Sequence, residues 1–113
     1  MTPPDDDAPW IADELHVLTP ADVAVRITRT RWELISTRKH PVMSGRLSAV
    51  LAALSEPDAI RRSSSAEDVL LFYRSERPGR WICAVVKRLD GTGFLVSAYP
   101  ASRMKEGEEL WPR

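Results

Sequence analysis

The chain is short of cysteine, of histidine and of long apolar runs, and each shortage removes a class of protein. Cys83 stands alone, so neither an internal disulfide nor a cysteine metal cluster can form. The two histidines, His16 and His40, are far apart and lack the His, Cys or carboxylate spacing that holds zinc. No stretch approaches the roughly 18 apolar residues of a membrane-spanning helix, so no membrane partner is expected. The opening "MTPPDDDAPW" has neither the basic start nor the apolar middle of a secretory signal, which makes a cytoplasmic protein the expectation. Glycine-rich phosphate loops and a "GxSxG" nucleophile elbow are missing too, and no cofactor is expected. Glu67 and Asp68 are adjacent; in a strand they point to opposite faces and cannot flank one bond.

What is present suits one small domain. A chain of 113 residues, 43% hydrophobic and 28% charged, can bury a single core. Residues 1–9, rich in proline and aspartate, are expected to form a disordered acidic arm, with the domain over 10–113. A formal net charge of zero hides a segregation. Residues 1–22 hold six acids and no Lys or Arg, and residues 106–113 hold three acids against Arg113. The body between the ends is therefore basic, which fits an anionic partner such as RNA.

Periodicity gives a coarse element order. "WIADELHVL" reads equally as a short strand or one to two helical turns, and "VAVRI" as a strand. Thr30 and Glu33 form a capping box for a first helix that buries Trp32 and Ile35 and ends at His40, before Pro41. Ser44 caps a second helix whose Leu47, Val50, Leu51 and Leu54 make a core-facing stripe. "DAIRRS", "EDVLLFYR", "RWICAVVKRL" and "GFLVSAY" are strands, joined in part by turns at "RPGR" and "DGTG". The expected fold is α+β, with two N-terminal helices packed on one face of a four- to five-stranded antiparallel meander. Uninterrupted alternation along the last hairpin puts Trp81, Cys83, Val85, Phe94, Val96 and Ala98 against the helices. It leaves Ile82, Ala84, Val86, Arg88, Leu95, Ser97 and Tyr99 on an open face.

The ordered series "RWELISTRKHP", "EPDAI", "VLLFYR", "ICAVVK", "FLVSAYP" and "MKEGEELW" covers roughly residues 24–111. It resembles the small phage- and mobile-element-associated nuclease-like domains of the barnase–EndoU–colicin–RelE superfamily. The resemblance implies a metal-independent ribonuclease, of the kind often used as a toxin, in which the 2′-hydroxyl of RNA attacks the neighbouring phosphate. His40, Arg74, Ser97 and Tyr99 are the catalytic candidates it implies: an imidazole as base or acid, and cationic and hydroxyl groups for the phosphorane. Arg62, Arg88, Lys105 and Trp111 are its candidates for holding substrate. Leu34 stands where relatives with a His-Ile pair would carry a second histidine. An antitoxin or immunity protein is the implied partner. The alternative is a non-catalytic module of the same fold that binds RNA or protein. A structural reading stands beside each role: His40 suits a helix C-terminus, and Tyr99 and Trp111 suit the end of a core.

Overall fold

The structure, a computed structural model, describes residues 10–112. The acidic arm expected over residues 1–9 lies outside the described residues. Strands β1 (Glu14–Leu18) and β2 (Ala24–Thr28) come first. A helical stretch follows: α1 (Arg29–Leu34), a π turn (Ile35–Lys39), a 3-10 turn (Pro41–Met43) and α2 (Leu47–Ser55). Five strands complete the chain: β3 (Ala59–Arg62), β4 (Val69–Arg77), β5 (Arg80–Leu89), β6 (Thr92–Ala101) and β7 (Glu109–Trp111). All seven strands join one sheet in the order β1-β2-β6-β5-β4-β3-β7. The β2–β6 pair is parallel and every other pair antiparallel.

This corrects the expected fold. The sheet is mixed and seven-stranded, the helices are short, and two strands precede them. The strand expected at "VAVRI" is present as β2, whereas the two edge strands lack strong local signals. β1 is set by a tight bend in which Ala12 and Asp13 take positive φ and Ile11 bridges Glu14. β7 is three residues long and exists by pairing with β3. β2 joins the sheet through β6, a partner distant in sequence.

The helices cover one sheet face. Trp32, Ile35, Met43, Leu47, Val50 and Leu54 are fully buried against Val25, Ile27, Phe72, Ile82, Ala84 and Val86. Burial of each large side chain in that layer is worth about 1.5–3 kcal/mol. The first helix is capped two residues earlier than the capping box suggests: the Thr28 hydroxyl accepts from the Arg31 amide at 3.1 Å. Its second half loosens. Ser36 and Thr37 hydroxyls bond carbonyls four residues back, at 2.8 and 2.5 Å, a pattern that bends helices. The chain widens into a π turn that closes with the His40 amide on the Ile35 carbonyl at 2.8 Å. Pro41 then holds His40 extended, at φ −140° and ψ 78°, and starts the 3-10 turn.

The opposite face carries a second, smaller layer of Ala59, Leu71, Tyr73 and Cys83, flanked by Trp81, Val85, Tyr99 and Met104. Residues 102–108 cross it as a strap from β6 to β7. The Lys105 amide donates to the Tyr73 hydroxyl at 3.0 Å, and Arg61 donates to the Lys105 carbonyl at 2.9 Å. Gly107 lies so close to β3 that an added Cβ would sit 2.0 Å from the Arg62 carbonyl oxygen.

The two faces of β5 are therefore the reverse of the expectation. Ile82, Ala84 and Val86 lie under the helices, while Trp81, Cys83 and Val85 face the strap side. A β-bulge causes part of the difference. Val86 pairs with Leu95, but Val85 pairs with Ser97, so Val96 is the extra residue. Leu95 and Ala98 both point to the helix layer, and Ser97 and Tyr99 align with Val85 and Cys83. Among the described residues, no helix is long and apolar enough to cross a membrane.

Candidate functional site

The site is built where β6 loses its neighbour. β2 pairs with β6 only from Ala24↔Thr92 to Arg26↔Phe94 and then turns into α1. Beyond Phe94 the outer edge of β6 is met by the π and 3-10 turns instead of a strand, and Lys39 Nζ donates to the Val96 carbonyl at 3.4 Å. The extended backbone at His40 delivers its imidazole to Tyr99, with ring centroids 5.4 Å apart and planes tilted by 39°. The strap brings Lys105 Nζ to 5.3 Å from the same ring, a cation–π distance. Ser97 lies two residues before Tyr99 on the same face, half-buried. His40, Ser97, Tyr99 and Lys105 thus gather on the strap side of the sheet.

Their chemistry differs from one to the next. The Tyr99 oxygen points inward and is buried beside the Cys83 thiol. Burial, reinforced by neighbouring Cys83, pushes this phenol well above its ordinary range. Tyr99 therefore contributes a neutral ring, and its hydroxyl does not reach a ligand on the surface. Burial likewise pushes the Cys83 thiol up to about 11 and raises the Tyr73 phenol, whose oxygen accepts the strap's amide. A thiol held neutral in this way is a packing group and not a nucleophile. Lys105 and Lys39 are exposed and His40 is half-exposed, so these three meet solvent.

No family model matches the sequence, no curated protein is similar to it, and no solved structure matches its fold.

The remaining candidates lie elsewhere. Arg74 pairs with Ile82 on the helix face and holds the end of α2, donating to the Glu56 carbonyl at 2.6 Å. Its carboxylate contact, Glu56 Oε2, is 3.8 Å away. Arg62 lies 3.5 Å from Glu108 and, with Arg88, lines an open cleft of about 490 Å³ near the β5–β6 turn. Glu67, Asp68 and Asp90 share that cleft, so its field is mixed. Arg88 stands opposite Gly93, five strand steps or about 16 Å from the Cys83↔Tyr99 pair. Trp111 pairs with Ile60 and packs on the helix-side core. The phosphate clamp, Arg74, and the imidazole, His40, are thereby on different faces.

The structure adds residues that the sequence reading missed. Two shallow clefts of about 220 and 260 Å³ adjoin along β2 and β6. They share Arg26 and Phe94, and Thr28 and Arg31 line the second. The alternating arginines of "RITRTRW" were the available signal, read there only as a strand end and a helix start. Among the described residues the groups of three or more metal-ligating side chains number none.

Proposed function

We propose that the chain binds single-stranded RNA on its strap-side face, at the cluster of His40, Tyr99 and Lys105. The observation that carries this reading is the ring pair His40–Tyr99 with a lysine over it, on a sheet face that the helices leave uncovered. Exposed ammonium groups attract phosphates, and a half-exposed imidazole gives an unstacked base a flat partner. Tyr99, with its oxygen buried, fixes the imidazole in place. The basic body of the chain supplies the long-range attraction.

Fluorescence anisotropy with labelled single-stranded RNA tests the proposal. Binding should weaken as salt rises, and Lys105→Ala should lower the salt slope by about 0.7 if one phosphate contact is lost. His40→Ala should weaken binding at fixed salt. Binding that neither change affects would remove the site.

A second reading, metal-independent cleavage by attack of the 2′-hydroxyl, is favoured by one observation. An imidazole, an ammonium group and the Ser97 hydroxyl share that face. Such a reaction needs a proton acceptor, a proton donor and charge stabilisation, and His40 would have to exchange roles or share them with water. Incubation with total RNA in chelator distinguishes the two readings. New 2′,3′-cyclic phosphate ends that vanish in His40→Ala support cleavage; intact RNA supports binding alone.

A further inference from the structure

The strap-side face continues past the His40 cluster, and the continuation is built for the same kind of ligand. Phe94 is half-buried on the same face, flanked by Arg26 on β2 and by Lys87 on β5 as its cross-strand partners. Both flanking cations are already engaged: Arg26 pairs with Glu14, and Lys87 Nζ lies 3.7 Å from Asp68. Arg31 differs. It lines the cleft with Phe94 and Thr28, and its guanidinium has no ion-pair or hydrogen-bond partner among the described residues. The cleft exists because β2 leaves β6 at this point, so its floor is a strand and its wall is the first turn of α1. From Phe94 to Tyr99 along β6 is about 16 Å, with Lys39 at the Val96 carbonyl in between.

We infer that the Arg31–Phe94 cleft is a second nucleotide subsite, continuous with the His40 cluster, so that the β6 edge holds a single strand of about three to four nucleotides. The inference rests on the RNA reading above and deepens it. Arg31 takes a phosphate, Phe94 takes a base by stacking, and Lys39 meets the strand midway. The base must leave its helix to reach a ring at the floor of a cleft, so the ligand is single-stranded.

The test uses the full chain and fluorescein-labelled RNA of two and six nucleotides, with anisotropy as the readout and circular dichroism as the check on folding. Wild type should bind the six-nucleotide strand more tightly than the two-nucleotide strand by a factor well beyond statistics. Phe94→Leu should weaken six-nucleotide binding about 5-fold or more, the scale of one lost base stack, and Phe94→Tyr should restore it. Arg31→Ala, an exposed-side change that leaves the core intact, should lower the salt slope for the longer strand by about 0.7. A six-base-pair RNA duplex should compete poorly. Equal affinity of Arg31→Ala, Phe94→Leu and wild type for six nucleotides, with Lys105→Ala still weakened, overturns the second subsite and leaves the first reading standing. Equal competition by duplex also overturns it. Failure of wild type to bind either strand overturns both.

Discussion

The two faces of the sheet are made of different materials. The helix side buries Trp32, Ile35, Leu47, Leu54, Ile27 and Phe72, which pack without polar atoms apart from one indole nitrogen. The strap side buries two phenols and a thiol beneath a segment with no helix or strand of its own between β6 and β7. Stability should therefore reside mainly on the helix side. Sensitivity to solution conditions should reside on the other, where the ring pair and the exposed lysines also sit.

Large-to-small changes should break this contrast first. Phe72→Ala is expected to cost about 3–5 kcal/mol in urea unfolding, while Met104→Ala on the strap should cost clearly less. Equal losses would mean that the two layers share the load. Next in size is an alkaline effect. The Cys83 thiol is raised by burial from 9.0 to about 11, so folding favours its neutral form. That contribution is fully present below pH 9 and is lost as pH rises through about 11, worth on the order of 2–3 kcal/mol. Unfolding midpoints from pH 8 to 11 should fall more steeply for wild type than for Cys83→Ala. The residual slope belongs to Tyr73 and Tyr99, raised in the same direction.

Two strap variants refine the contrast. Gly107→Ala puts a methyl 2.0 Å from the Arg62 carbonyl oxygen, so the strap must lift from β3, at about 1–3 kcal/mol. Amide exchange at Arg62, which donates to the Glu108 carbonyl, should quicken with it. Tyr73→Phe removes the acceptor of the Lys105 amide and should cost about 0.5–1.5 kcal/mol, with faster exchange at Lys105 and little change on the helix side. The smallest effect is expected from Glu14→Gln. Arg26 holds the Glu14 carboxyl below its ordinary range, yet both groups are solvated, and the unfolding midpoint should hardly move.

Local signals were legible where chain neighbours decide the outcome. The stripe of α2, the tight turns at Gly79 and Gly91, both at positive φ, and the span of β5 follow from patterns a few residues long. The helix at Trp32 was legible as well, though not its π turn, which arises from Ser36, Thr37 and Pro41 acting together. Pairings set by distant partners were not. β1 and β7 are sheet edges with weak patterns of their own, and β2 takes its place from β6. The candidate site suffered from one residue. The extra Val96 shifts β6 by one step, which sets Ser97 and Tyr99 beside Val85 and Cys83 rather than beside Ala84 and Ile82. Arg74 was credible as a clamp by residue type, but strand parity sends it to the helix face.

The parallel contact of Ala24 with Thr92 also fixes a schedule. During synthesis β2 leaves the ribosome with one flank bare and must await a strand made much later, roughly 3–14 s at ordinary elongation speeds. Throughout that interval Val25 and Ile27 have β1 on one side and the helices above them but no strand on the other side. The nascent first half keeps that apolar edge exposed, and slowing translation between α2 and β6 should lengthen its exposure.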